Sequence, residues 1–128
     1  KLREDFAILP RVEGRHPEDI HLYNVSDPET DLNPGTLNIP EPDPSRCPRL
    51  VSLEIDWIWV PGVAFDPYGG RLGRGKAYYD TLLARFPPHT WKIGIAYDWQ
   101  IVGSPLPREE WDQLLNQVVT DKRVISPE

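Results

Sequence analysis

The stretch Val60-Pro-Gly-Val-Ala-Phe-Asp-Pro-Tyr-Gly-Gly-Arg-Leu-Gly-Arg-Gly-Lys-Ala-Tyr-Tyr-Asp80 joins two segments of different periodicity. Before it, Ile55-Asp-Trp-Ile-Trp-Val60 is a short apolar run, the pattern of a buried strand. After it, Tyr78, Tyr79, Leu82, Leu83 and Phe86 recur at helical spacing, which predicts a helix over 78–86. Between strand and helix, Gly69, Gly70, Gly73 and Gly75 share a loop with Arg71, Arg74 and Lys76. Glycine permits positive φ and close approach of backbone N–H groups to a ligand. A following helix adds the positive end of its dipole. The combination suits an anion, most simply a polyphosphate. Two standard motifs nevertheless fail. Gly70-x-x-x-x-Gly75-Lys76 fits a Walker A loop until Ala77, where Ser or Thr is needed for Mg²⁺. Gly73-x-Gly75 starts a dinucleotide fingerprint until Tyr78 takes the third glycine position.

Working outward, Trp57 and Trp59 flank Ile58 and so share one face of the strand, assigned here to the core. Pro87-Pro88 breaks the helix, and Trp91-Lys-Ile-Gly-Ile-Ala96 reads as the next strand. Pro107 to Leu115 reads as a short helix with proline at its beginning, and Val118-Val-Thr120 as a last strand. Upstream, Asp5 to Pro10 reads as a strand stopped by proline, and Arg11 to Pro17 as a polar turn. Ile20 to Val25 alternates like a half-exposed strand, and Leu50 to Ile55 begins another short element. Ser26 to Pro48 carries Pro28, Pro34, Pro40, Pro42, Pro44 and Pro48 and reads as a long irregular connection. Alternation of strands and helices predicts an α/β fold, a single three-layer domain over 1–128 with a central, largely parallel sheet.

A chain of 128 residues is one domain by length and buries about two-thirds of its unfolded surface. With 14 basic and 20 acidic residues the net charge is −6, which argues against a general nucleic-acid or membrane surface. An RNA-binding reading, with arginines and tyrosines as contacts, ranks last for the same reason. The single cysteine, Cys47, forms no internal disulfide and points to a reducing cytoplasm. Cys47, His16, His21 and His89 are too scattered for a zinc site. No apolar run reaches transmembrane length.

The run Val60-Pro-Gly-Val-Ala-Phe-Asp66, with Gly70-Arg-Leu-Gly-Arg-Gly-Lys-Ala-Tyr-Tyr-Asp80, resembles the signature of the 5-formyltetrahydrofolate cyclo-ligases, or methenyltetrahydrofolate synthetases. Ile8-Leu-Pro-Arg-Val12, Leu37-Asn-Ile-Pro-Glu-Pro42, Gln100-Ile-Val102, Leu106-Pro107, and Trp111-Asp112 through Thr120 follow in the family's order. The family's earlier N-terminal region, with a Lys/Arg pair for ATP and a glutamate for folate, has no match, and Lys1 and Arg3 do not replace it. The resemblance therefore describes an N-terminally shortened, C-terminal part of the family fold.

The resemblance implies ATP- and Mg²⁺-dependent conversion of 5-formyltetrahydrofolate to 5,10-methenyltetrahydrofolate through a phosphorylated formyl intermediate, in a cytoplasmic monomer. The alternative is a nucleotide- or phosphate-binding module without catalysis. The resemblance assigns Arg74 and Lys76 to catalysis. Arg71, Leu72, Gly73, Arg74, Gly75, Lys76, Ala77, Tyr78 and Tyr79 bind the nucleotide, and Arg74 to Tyr78 also face the folate. Asp80 and Asp112 are the matched carboxylates for Mg²⁺. Asn38, Ile39 and Glu41 are candidates for lining the folate site. Ala77 stands where the family usually has glycine. Asp66, before Pro67, reads as a turn residue that braces Arg71, and Asp98 has no assigned role.

Overall fold

A computed structural model describes residues 7–35, 39–73, 78–110 and 112–127. They form two compact units, residues 1–53 and 54–128.

In the first unit, strand β1 (Ala7–Val12) pairs antiparallel with β2 (Ile20–Val25) across a turn that includes a short 3-10 segment, Pro17–Asp19. Proline does not end β1. Pro10 lies within it, opposite Leu22. The reason is orientation: the Val12 N–H, two residues on and on the same side, donates outward to Glu41 Oε2 at 3.1 Å. Pro10 therefore lacks a donor only where β2 needs none. The proline-rich connection also has structure, since β3 (Leu32–Pro34) and β4 (Pro40–Pro42) form an antiparallel pair. Tyr23, Val25 and Cys47 make this unit's small core, with Leu9 and Leu32 packed against it. The element expected over 50–55 does not form; Leu50 only donates its N–H to Leu22 O.

The second unit is built on a four-stranded sheet in the order β10-β9-β8-β5. Its strands are β5 (Trp57–Val60), β8 (Trp91–Ile95), β9 (Gln117–Val119) and β10 (Val124–Ile125). β5, β8 and β9 run parallel and β10 closes the edge antiparallel, as a largely parallel sheet requires. The crossover from β5 to β8 holds a hairpin, β6 (Ala64–Phe65) with β7 (Arg71–Leu72), and helix α1 (Tyr78–Ala84). Leu82, Leu83 and Phe86 are buried, as their spacing predicted.

Register sorts the sheet into two faces. Val60, Gly94, Val118 and Ile125 align across the strands on one side. Phe65 and Leu115 press against Gly94 so closely that a Cβ there would lie 2.8 and 2.9 Å from them. The other side carries Trp57, Trp59, Trp91, Ile93, Gln117, Ile95, Val119 and Val124. The two tryptophans of β5 do share a face, but it is the open one, with Trp57 53% and Trp59 43% exposed. Their assignment to the core is corrected accordingly. The architecture is α/β, and among the described residues no further helical layer covers this second face. No described helix is long and apolar enough to cross a membrane.

The helix expected over 107–115 is absent from the described residues of that stretch. Long-range partners take amides within and beside it: Gln113 N–H goes to Asp80 and Leu115 N–H to Gly69 O, while at its two borders Leu106 N–H goes to Asp66 and Asn116 N–H to Lys92 O. Among the described residues, local bonds run from Asp112 N–H to Glu109 O and from Glu109 N–H to Asp112 Oδ2.

Candidate active site

The loop after β5 turns on Asp66. Its Oδ1 accepts the N–H groups of Tyr68 and Gly70, each at 2.8 Å, and its Oδ2 accepts that of Leu106 at 2.7 Å. The turn closes through the Asp66 N–H to Gly70 O, and Gly69 takes φ +93°. Burial pushes the Asp66 carboxyl up. The N–H groups of Leu106, Gly70 and Tyr68, aided by Arg108, outweigh it and hold the group below the ordinary aspartate range. Asp66 is thus a turn residue, but it braces backbone amides rather than Arg71. The Gly70 amide is spent inside the protein and is not free to meet an anion.

Arg71 leaves β7 with its side chain only 6% exposed. Its Nη1 donates to Pro61 O at 3.0 Å, and its Nη2 lies 3.7 Å from Asp80 Oδ2. The guanidinium carbon sits 5.6 Å from the Tyr79 ring centre, within cation–π range. Burial pushes the Tyr79 phenol up, with Arg71 pulling partly against it. Gly73 makes room for this packing, since a Cβ there would stand 2.9 Å from Arg71 Nη1. One polar atom is left over: Arg71 Nε is buried without a partner. Leu72 is exposed and Tyr78 half-buried. Arg74, Gly75, Lys76 and Ala77 lie outside the described residues, as does Asn38.

The two carboxylates assigned to a metal come from distant parts of the chain, and Asp80 reaches the residue that follows Asp112. Asp80 Oδ1 accepts the N–H of Gln113 at 3.3 Å, so α1 is fastened to the residue next to Asp112. Asp112 Oδ2 accepts the Glu109 N–H at 2.8 Å. No cluster of three or more His, Cys, Asp or Glu with metal-holding geometry occurs among the described residues. A pair of hard carboxylate oxygens is the donor set that Mg²⁺ uses when phosphates and waters complete its shell.

The glycine loop follows the carboxyl end of β5, the kind of place where an open α/β sheet binds ligands. A second segment gathers there that the sequence reading left without a role. Tyr97 and Trp99 follow β8, stack with ring centres 5.9 Å apart, and are strongly exposed. Gln100 Nε2 donates to Gly62 O at 3.0 Å and to Val63 O at 3.1 Å, pinning the segment to the start of the glycine loop. Asp98 braces the end of β9: its Oδ1 accepts from Arg123 Nε at 2.8 Å and Thr120 Oγ1 at 3.0 Å. Those two bonds hold its carboxyl below the usual range. No short-range pattern exposes these pairings, because each joins residues more than twenty positions apart. In the first unit, Glu41 is occupied by Val12, and Ile39 is exposed.

A model of the 5-formyltetrahydrofolate cyclo-ligase family matches residues 2–121. The chain belongs to that family. Among proteins carrying the cyclo-ligase name, that of Escherichia coli K12 is 40% identical over 98 residues, covering 76% of this chain and 53% of the relative. The mouse protein is 34% identical over 122 residues, covering 88% and 59%. The NMR structure of Aquifex aeolicus 5,10-methenyltetrahydrofolate synthetase superimposes with a TM-score of 0.75 at 43% identity. It covers 94% of this chain and 58% of that one. The chain thus spans little more than half the length of these cyclo-ligase relatives.

Proposed function

We propose that this chain carries the nucleotide-phosphate and metal portion of a cyclo-ligase site. The observation that supports it most is the convergence of Asp80, the segment of Asp112 and the Arg71 side of the glycine loop, in a chain of this family. In the reaction, the formyl oxygen of 5-formyltetrahydrofolate takes the γ-phosphoryl group of ATP, releasing ADP. N10 of the folate then attacks the activated carbon, loses its proton, and phosphate leaves with the former formyl oxygen to give 5,10-methenyltetrahydrofolate. The protein's work in such transfer is positioning and charge neutralisation. Arg74 and Lys76 are the residues assigned to neutralise the transferring phosphoryl group, Arg as a planar fork and Lys as a point charge.

The backbone from Arg71 to Tyr79 holds the nucleotide, and Arg74 to Tyr78 also meet the folate. Arg71, buried and paired, acts from behind the loop by fixing Asp80 and Tyr79. Asp80 and Asp112 would hold Mg²⁺, which would supply charge neutralisation to the phosphates there. The chain works as a monomer in the cytoplasm.

The test is formation of methenyltetrahydrofolate, followed by ultraviolet absorbance with ATP and Mg²⁺ present. Turnover that needs both and falls about a hundredfold or more in Lys76→Ala supports the reading. ATP binding without turnover assigns the chain to phosphate binding alone. Loss of neither binding nor turnover in Lys76→Ala overturns the placement of the phosphates.

A further inference from the structure

Tyr97 and Trp99 are the most exposed aromatic side chains among the described residues, at 61% and 79%. Their backbone, in contrast, is firmly held. The Tyr97 N–H donates to Gln100 Oε1 at 2.8 Å, and the Asp98 N–H to Asp121 Oδ1 at 2.7 Å. Asp98–Gln100 is a 3-10 turn, closed by the Gln100 N–H to Tyr97 O at 2.9 Å. Just beyond it, the Val102 N–H donates to Phe65 O at 2.8 Å. The two rings lie nearly parallel, 8° apart, in a stacked arrangement. A flat ligand therefore meets a surface already ordered, and less freedom is lost on binding.

The pair stands beside the glycine loop. Gln100 Nε2 donates to Val63 O, and the Val63 N–H donates to Leu72 O at 2.7 Å. Two hydrogen bonds thus lead from the residue after Trp99 to the run assigned to the phosphates. Val63 and Leu72 are each exposed as well. Single exposed apolar residues are ordinary, whereas four along one path beside a candidate site call for a ligand. The nearby polar groups Gln100 Nε2 and Asp98 Oδ1 are already bonded within the protein. What the segment offers is the face of a ring.

We propose that Trp99, backed by Tyr97, is the stacking platform for the purine base of the nucleoside triphosphate. The inference rests on the phosphate reading given above and extends it to the other end of the nucleotide. In that reading the formyl-bearing ring meets the terminal phosphoryl group near Arg74 and Lys76. The base, at the opposite end of the triphosphate, has to lie away from them. The outer face of the Trp99 indole receives it, with Tyr97 holding the indole from behind.

The test is titration calorimetry of the chain with Mg²⁺ and without folate, using ATP and inorganic triphosphate as separate probes. Triphosphate carries the phosphates and lacks the base. Trp99→Ala should weaken ATP about tenfold and leave triphosphate unchanged, and Trp99→Phe should recover most of the loss. The thermal midpoint of each variant establishes that it folds, as removal of so exposed a side chain allows. ATP affinity unchanged in Trp99→Ala, with triphosphate still bound, overturns this inference alone. So does an equal loss for both probes, which places the effect in the loop. Weakening of 5-formyltetrahydrofolate in place of ATP also overturns it, giving the platform to the folate ring. A wild-type chain that binds neither ATP nor triphosphate overturns it together with the phosphate reading.

Discussion

Three backbone amides converge on the carboxylate of Asp66, a side chain fully shielded from solvent. In Asp66→Asn, one oxygen still accepts from Tyr68 and Gly70, but the new NH₂ faces the Leu106 donor. A buried donor left without an acceptor costs about 2–3 kcal/mol, read as a lower urea midpoint at pH 7. The pH dependence follows from the depressed carboxyl. Its folded pKa lies below the unfolded aspartate value of about 3.9, so its stabilisation is complete above that value. It fades as pH falls through the folded pKa. The gap between wild type and Asp66→Asn should therefore narrow only on acidification below about pH 4. At Gly69, φ is +93° and an added Cβ would meet Leu115 O at 2.9 Å. Gly69→Ala should cost about 1–3 kcal/mol in thermal unfolding, with Gly103→Ala, open on all sides, as the neutral control. The turn at Asp66 was readable from Asp-Pro and the paired glycines, because turn chemistry is local. Which groups the carboxylate would hold was not. Leu106 is 40 positions away, and nothing in the loop's own residues announces it. Arg71 misled for a similar reason, since an arginine in a glycine loop looks like a ligand cation until burial and its bond to Pro61 are seen.

Among the elements, β5, α1, β8 and β9 were legible because each carries its own periodicity, and their order predicted the parallel pairing. What the pattern could not decide was which face of β5 is inside. Two tryptophans outweigh Ile58 and Val60 in apolar area, yet Val60 is fully buried and the tryptophans are not. The helix expected over 107–115 failed because that segment's amides found partners in the glycine loop and β8. The face assignment is measurable. Phe65, fully buried against Gly94, should lose about 3–5 kcal/mol on truncation to alanine. Trp59→Ser removes a larger side chain, but an exposed one held mainly by its contact with Trp57. It should cost no more than about 1–2 kcal/mol. Chemical denaturation of the two variants compares them directly. A Trp59→Ser loss as large as that of Phe65→Ala would mean the tryptophan face is packed after all.

At the scale of the molecule, the six described strands of the second unit lie between Trp57 and Ile125, and the four described strands of the first between Ala7 and Pro42. Residues 51–55 belong to no strand or helix, and Val51 is 98% exposed. Other exposed apolar residues are better protected. Trp57 and Val124 sit in paired strands, and Val63 donates its N–H to Leu72 O at 2.7 Å. Proteases need several residues of accessible, extended backbone, so exposure outside regular secondary structure selects the cut. Thermolysin, which cleaves before apolar residues, should act first between Leu50 and Val51 or between Ser52 and Leu53. Mass spectrometry of early time points should show a pair of fragments joined at that boundary. The larger fragment keeps every strand of its sheet together with the Asp66, Arg71 and Asp80 contacts, so it should still unfold cooperatively. A first cut within 106–116 would instead show that the long-range bonds to Asp66, Gly69 and Lys92 do not hold that segment. The joining of Asp80 to the Asp112 segment would then fail with them.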